Sequence, residues 1–304
     1  MQKSKFETLT NFKKRFDRIF NRYLINKEKE LAKIDPAILP VFTQIRKIAL
    51  GGKRLRTFLA WLGYRGFGGK KDKEIIKIGI ALELFQLFAL IHDDIMDEDE
   101  KRRGVETIHH KFGISAGILA GDLVLSLAEE AMQFSIFRQA QDCPEQSRRT
   151  IFNYWNELKK EVMLGQYLDT SKNNETMGQW DNPSTTLRAS ESMRLKIYEL
   201  KTARYTILRP LQMGAALAGA SNEAIEQFNN YAINVGIAFQ IKDDLLETKK
   251  TEINLVSLKG RKYCQNLLKE LVAKAKKELE NVKIRKPEKE ILRDLTEYVI
   301  SRKN

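Results

Sequence analysis

Seven consecutive residues concentrate the chemistry of this chain: Ile91-His92-Asp93-Asp94-Ile95-Met96-Asp97. If they are helical, Asp93 and Asp97 stand at i and i+4, on one face and one turn apart. Two carboxylates at that spacing repel unless a cation is shared between them. Hard oxygen donors suit Mg²⁺, which keeps several waters and is usually completed by substrate phosphates. A solvated acidic helix end is the competing reading of one such cluster taken alone. A second cluster weighs against it. Phe239-Gln240-Ile241-Lys242-Asp243-Asp244-Leu245-Leu246-Glu247 repeats the pattern: an apolar approach, two aspartates, then a carboxylate at i+4. Facing each other across a helical cavity, the two would make a multi-metal diphosphate site.

Cations accompany both clusters. Gly51-Gly52-Lys53-Arg54-Leu55-Arg56 joins a closely approachable backbone to a fork of basic groups, which fits an anion site or an ordinary basic turn. It is not a Walker A loop. Arg102 and Arg103 follow the first cluster within about two turns, either as salt-bridge partners of the acids or as ligands for outer diphosphate oxygens. Lys201 and Thr202 could present a cation and a hydroxyl to a phosphate, with a solvated lysine as the alternative. His109 and His110 are neighbours that face different sides of a helix, so they do not read as a zinc pair.

The elements that must position these groups are helical. Ile75 to Ile91 is apolar nearly all round, which predicts a buried helix running into the first acids. Burying unpaired carboxylates is expensive, so something positive must meet them. Residues 3–33 predict an amphipathic helix, with Phe6, Leu9, Phe12, Phe16, Ile19, Phe20, Tyr23 and Leu24 among basic residues. Such a helix can lie on a membrane surface or pack on a neighbour. Residues 114–136 predict another apolar helix, rich in small residues. The polar stretches 139–149 and 171–192 predict loop insertions in a single domain spanning 1–304.

Composition bounds the rest. The chain has 304 residues, 42% of them hydrophobic, and only 6 prolines. With its i/i+3/i+4 patterning this predicts an all-α protein with a sizeable core. A formal net charge of +13 asks for an anionic partner: nucleic acid, an anionic membrane or a phosphate-bearing substrate. Cys143 and Cys264 lack metal or redox spacing, and the N-terminus lacks a secretory apolar stretch. Lys77, Glu83 and Gln86 interrupt the longest apolar run. These features predict a cytoplasmic protein without a membrane span.

Taken in order, GGKRLR, DDIMD with the following RRG, AGD, GQYLD, the KTA of YELKTARY and FQIKDD resemble the trans-isoprenyl diphosphate synthases (polyprenyl synthetases). The resemblance covers roughly residues 40–300. It implies an isoprenoid synthase fold, a bundle of roughly ten or more helices around a central cavity. It implies Asp93 and Asp97 as Mg²⁺ ligands supported by Asp94, and Asp243 as ligand to a further Mg²⁺ with Asp244 and Glu247 nearby, three ions in all. Lys53, Arg56, Arg103 and Gln86 would bind isopentenyl diphosphate. Arg102, Lys201, Thr202 and Gln240 would surround the allylic diphosphate.

The implied reaction is ionisation of the allylic diphosphate, attack by the double bond of isopentenyl diphosphate, and proton loss to the pyrophosphate. It needs no side-chain general base. In the family an aromatic at the fifth position before the first aspartate limits chain length. Phe88 holds that position, the small Ala89 follows, and Phe85 lies about one turn deeper; C20 is therefore expected ahead of C15. The resemblance also implies a homodimer, for which the apolar helices after Gly113 could serve as interface, and no nucleic-acid partner. Three departures stand out. Glu247 replaces the usual aspartate, Thr57 stands where proline is common, and the region after Glu247 looks contracted. The contraction leaves Lys249, Lys250 and Lys259 as candidates for a phosphate-binding lysine. It also keeps open a second reading, a non-catalytic or weakly active partner subunit of the same fold.

Overall fold

A computed structural model describes residues 2–137, 144–170, 191–247 and 254–302 of the protein, with backbone alone at 2–8 and 134–137. Helices dominate, as expected. The chain divides into two compact units, Met1–Trp61 with Lys71–Asp142, and Leu62–Lys70 with Cys143–Asn304.

The first unit contains α1 (Gln2–Ala32), α2 (Leu39–Leu50), the start of α3 (Leu55–Gly66) and α4 (Asp72–Met96). A two-residue hairpin, β1 (Lys101–Arg102) and β2 (Val105–Glu106), leads into α5 (Ile108–Phe112) and α6 (Ile114–Phe137). Of the two readings of the N-terminal helix, packing holds. Phe12, Phe16, Phe20 and Leu24 recur one turn apart and are all buried, with Phe12 ringed by Phe58 at 5.3 Å and Trp61 at 5.5 Å. The central helix α4 buries residues around its whole circumference, from Ile75 to Ile91. By length and apolar composition α4 could cross a membrane, but most of its apolar window is buried inside the fold, where a core helix belongs.

The second unit contains α7 (Glu145–Thr170) and α8 (Glu191–Tyr198), which runs straight into a π-helical stretch, Glu199–Leu208. Then come α9 (Arg209–Leu217), α10 (Asn222–Glu226), α11 (Phe228–Leu246), α12 (Leu255–Lys259), α13 (Arg261–Asn281) and α14 (Lys286–Ser301). Its core forms around α11, where buried Tyr231 donates to Leu292 O at 3.1 Å. Gly236 brings α11 against the π stretch: a Cβ there would sit 2.3 Å from Ala203 Cα.

The expected insertions need correction where the structure describes them. Residues 138–143 and 171–190 lie outside the described residues. Glu145–Arg149, however, are the first turns of α7, and Glu191 and Ser192 begin α8. Polar composition there marks exposure, not irregular backbone. Glu145 and Arg149 pair across one turn at 2.6 Å on the solvent side, while Ser147 faces inward.

Candidate active site

In the first unit α4 stays helical to Met96, and Asp97 caps it by donating its N–H to Asp93 O at 2.9 Å. Asp93 and Asp97 therefore do lie one turn apart. Asp93 is half-buried and Asp97 exposed, whereas Asp94 between them turns inward and is 1% exposed. Arg102 is the positive group that meets it. Its Nε donates to Asp94 Oδ1 at 2.5 Å, and its Nη2 lies 2.9 Å from Asp99 Oδ2 and 3.8 Å from Asp93 Oδ2. Burial pushes the Asp94 carboxyl up to about 6, with Asp93 and Asp99 adding to the rise and Arg102 opposing it. Its Oδ2 is buried without a hydrogen-bond partner.

Arg103 turns the other way. Its backbone is left-handed, at φ 55°, and its side chain crosses the glycine pair to donate to Ile48 O at 2.8 Å. A Cβ on Gly51 would sit 2.6 Å from Arg103 Cδ, so glycine is what lets the arginine lie there. Arg54 is also left-handed, at φ 62°, a conformation that costs a side-chain-bearing residue about 1–2 kcal/mol. Buried contacts offset this: Arg54 binds Asp17 at 2.6 Å, Glu83 at 2.8 Å and Ala49 O at 2.7 Å. Thr57, the departure from proline, donates to the same Glu83 at 2.9 Å. Arg54 was not singled out in the sequence, where nothing local distinguishes it from Lys53, which is exposed, and Arg56, which is half-buried.

Burial, helped by neighbouring Arg54, Arg102 and Arg56 and opposed by Glu83, holds the Arg103 guanidinium below its ordinary range. Cations crowded in this way repel, and a bound anion would relieve the cost. Gln86 stands half-buried on α4 about two turns before Asp93. Deeper in the unit, the Phe85 and Phe88 rings pack 5.3 Å apart, and Phe88 meets His92 edge-on at 4.8 Å.

In the second unit, Lys201, Thr202, Gln240, Asp243 and Asp244 are drawn together around one cleft of about 390 Å³. Lys201 and Thr202 lie on the π stretch, whose wider turn is often found at functional sites. Lys201 is not a solvated lysine: its Nζ is 3.0 Å from Asp169 Oδ2, and Arg194 Nη1 is 2.8 Å from the other oxygen. Burial pushes Asp169 up, but Lys201 and Arg194 outweigh it and hold the carboxyl below the usual range. Thr202 donates to Gln240 Oε1 at 2.8 Å, and Gln240 donates on to Asp244 Oδ1 at 3.3 Å. Asp244 also accepts from Tyr198 Oη and, at 3.4 Å, from Leu255 N. Burial pushes its carboxyl up, with these hydrogen bonds opposing the rise. Asp243 keeps 44% of its side chain exposed and pairs with Arg302 at 2.7 Å.

Arg194, Tyr198 and Arg302 were missed in the sequence. Tyr198 stands three residues before Lys201, inside a motif already noted, and could have been found there. Arg302 carries no local signal among the basic residues at the end of the chain. Of the lysines offered for the contracted region, Lys259 is taken by Glu191 at 3.0 Å, and Lys249 and Lys250 lie outside the described residues.

Among the described residues, no three histidine, cysteine or carboxylate groups gather closely enough to hold a metal ion unaided. Mg²⁺ does not require that, because waters and phosphate oxygens complete its octahedron. In the first unit the solvent-accessible carboxylates of Asp93 and Asp97, with the unsatisfied Oδ2 of Asp94 beside them, fit such an ion, and in the second unit the accessible Asp243 offers a ligand of the same kind.

The family model for polyprenyl synthetase matches residues 40–281. The geranylgeranyl diphosphate synthase of Methanosarcina mazei is 32% identical over 210 residues, which is 69% of this chain and 59% of that protein. The farnesyl diphosphate synthase of Escherichia coli is 30% identical over 276 residues, 83% of this chain and 86% of that one. The chain spans little more than half the length of the first curated relatives that it matches. A crystal structure of geranylgeranyl pyrophosphate synthase from Corynebacterium glutamicum, complexed with isoprenyl diphosphate and magnesium, shares the fold. Its TM-score is 0.82 over 97% of this chain and 99% of that one, at 24% identity. With a family match that takes in every motif from GGKRLR to FQIKDD, the chain belongs to the polyprenyl synthetase family.

Proposed function

We propose that the chain is a Mg²⁺-dependent trans-prenyltransferase. It condenses isopentenyl diphosphate with an allylic diphosphate of C5 to C15 into a short all-trans prenyl diphosphate, C20 ahead of C15. The observation that carries this reading is the Arg102 guanidinium held against Asp93 and Asp94 where α4 ends, with Arg103 next in the chain laid across the Gly51-Gly52 pair. Carboxylates alone would repel a diphosphate. With cations packed against them, they fit one that is held by metal on one side and by guanidinium on the other.

Asp93 and Asp97 would hold Mg²⁺, and Asp243 a further ion, three in all, with Asp94 holding Arg102 and Asp244 holding Tyr198 and Leu255 N. When bound, the metal supplies Lewis-acid neutralisation of the pyrophosphate that leaves. The remaining work falls to the chain. Lys53, Arg56, Arg103 and Gln86 bind the diphosphate of isopentenyl diphosphate. Arg102, Lys201, Thr202 and Gln240 bind the allylic one, with Lys201 aimed by Asp169. The apolar flank of α4 keeps water from the allylic cation, and the departing pyrophosphate takes the proton. The relatives are named for both C20 and C15 products; the preference for C20 rests on Phe88 and the small Ala89 above it. We further propose a cytoplasmic homodimer without a nucleic-acid partner.

The test is incubation of the purified protein with Mg²⁺, labelled isopentenyl diphosphate and, separately, C5, C10 and C15 primers. A C20 or C15 product, abolished by EDTA and by Asp93→Ala, is expected. A folded protein that makes no product from any primer would sink the reading in favour of a non-catalytic partner subunit.

A further inference from the structure

Beyond the last turn of α14, Arg302 reaches α11. Its Nη2 lies 2.7 Å from Asp243 Oδ1 and donates to Phe239 O at 2.8 Å, and its guanidinium rests over the Phe239 ring at 3.9 Å from the centroid. The residue is 7% exposed, yet its Nε is buried without a hydrogen-bond partner. Arg209, a structural arginine of the same unit, is satisfied differently: Glu157, Glu161 and Gln212 all bind it. An unmet buried donor is costly, so the seat of Arg302 is incomplete. What it sits on is the accessible member of the second acidic pair, not the buried one.

We propose that Arg302 is a positioning residue: an internal counter-ion that reserves Asp243 for metal arriving together with diphosphate. The proposal rests on the reading of Asp243 as a metal ligand. A bare divalent cation at Asp243 would come up against a guanidinium that already occupies its oxygen, and like charges at that range oppose binding. A one-to-one complex of the metal with diphosphate carries net negative charge and meets no such opposition. The second acidic cluster then loads with substrate instead of with free metal.

The experiment is Mn²⁺ binding to the full chain, read by the electron paramagnetic resonance of the free ion, with and without pyrophosphate. Without pyrophosphate, Arg302→Gln should bind Mn²⁺ at one site up to about fivefold tighter than the parent, the upper range for a partly exposed ion pair. Arg302→Lys keeps the charge and should stay near the parent. The double variant Asp243→Asn/Arg302→Gln should lose the gain. With pyrophosphate the advantage of Arg302→Gln should vanish. If Asp243→Asn leaves binding of manganese with pyrophosphate unchanged, Asp243 is no ligand and both readings fall. If it weakens that binding while Arg302→Gln takes up bare manganese no better than the parent, the counter-ion role alone is overturned.

Discussion

Adjacent aspartates divide their work in both clusters. Asp93 and Asp243 keep access to solvent, while Asp94 is 1% and Asp244 6% exposed. The buried member is an anchor, tied to Arg102 in one unit and to Tyr198 and Leu255 N in the other. Tyr198→Phe should therefore destabilise the protein by about 1–3 kcal/mol, because it leaves a buried carboxylate oxygen short of a donor. The midpoint of chemical denaturation measures it, and an unshifted midpoint would show that Asp244 finds another partner. Asp169 sets a pH dependence. Its carboxyl is held below the usual range despite burial, by Lys201 and Arg194. It thus contributes stability that is fully present above the unfolded-chain value of about 3.9. That stability is lost as pH falls through the lower folded value. Asp169→Asn should flatten the stability profile below about pH 4; parallel profiles for parent and variant would refute the linkage. Spacing singled out all five aspartates of the two clusters. It could not tell anchor from accessible group, because that depends on how the hairpin turns Arg102 back onto Asp94 and on Tyr198, 46 residues from Asp244.

At the scale of elements, α4 was legible because an apolar run that long, interrupted by Lys77, Glu83 and Gln86, reads as the core helix of a fold. The same run fixes the depth of Phe85 and Phe88 below the acids, and the rings do pack together, fully buried at Phe85 and 8% exposed at Phe88. If Phe88 is the floor beneath a growing chain, Phe88→Ala should shift products to greater length. Removing a buried ring costs about 3–5 kcal/mol, so product length should be read by chromatography at a temperature where the variant stays folded. An unchanged product distribution would make Phe88 an ordinary core residue. The π stretch was not legible. Glu-Leu-Lys-Thr-Ala-Arg-Tyr-Thr-Ile-Leu contains nothing foreign to an α-helix, and its widening accompanies a backbone from α11 that comes in over Ala203 because Gly236 has no side chain. That contact lies more than thirty residues along the chain, beyond the reach of any local pattern. The N-terminal helix was left between two readings for a related reason: amphipathicity shows that a face is covered without showing by what.

For the molecule as a whole, the net charge of +13 does not come from Arg54 and Arg102, because Arg54 is paired with Asp17 and Glu83 and Arg102 with Asp94 and Asp99. Assembly is less directly written. The stretch ISAGILAGDLVLSLAEEAMQFSI is apolar nearly all round, so its sequence has no obvious inward face. In the fold it acquires an outward one: Ile114 is 61%, Ile118 44% and Leu119 67% exposed on α6, while Ala120, Val124 and Leu127 are buried. Ile114 and Ile118 stand one turn apart with Leu119 beside them, which makes a contiguous apolar face at the start of the helix. A second copy of the chain is the occupant that the proposed homodimer supplies. Replacing Ile118 and Leu119 together by glutamate would force two charges into that contact, with little cost to a single chain because both side chains already face solvent. The parent should then sediment and scatter light at twice the chain mass, and the double variant at the chain mass with unchanged helicity. A variant that stays dimeric would move the interface elsewhere, and a monomeric parent would remove the homodimer altogether.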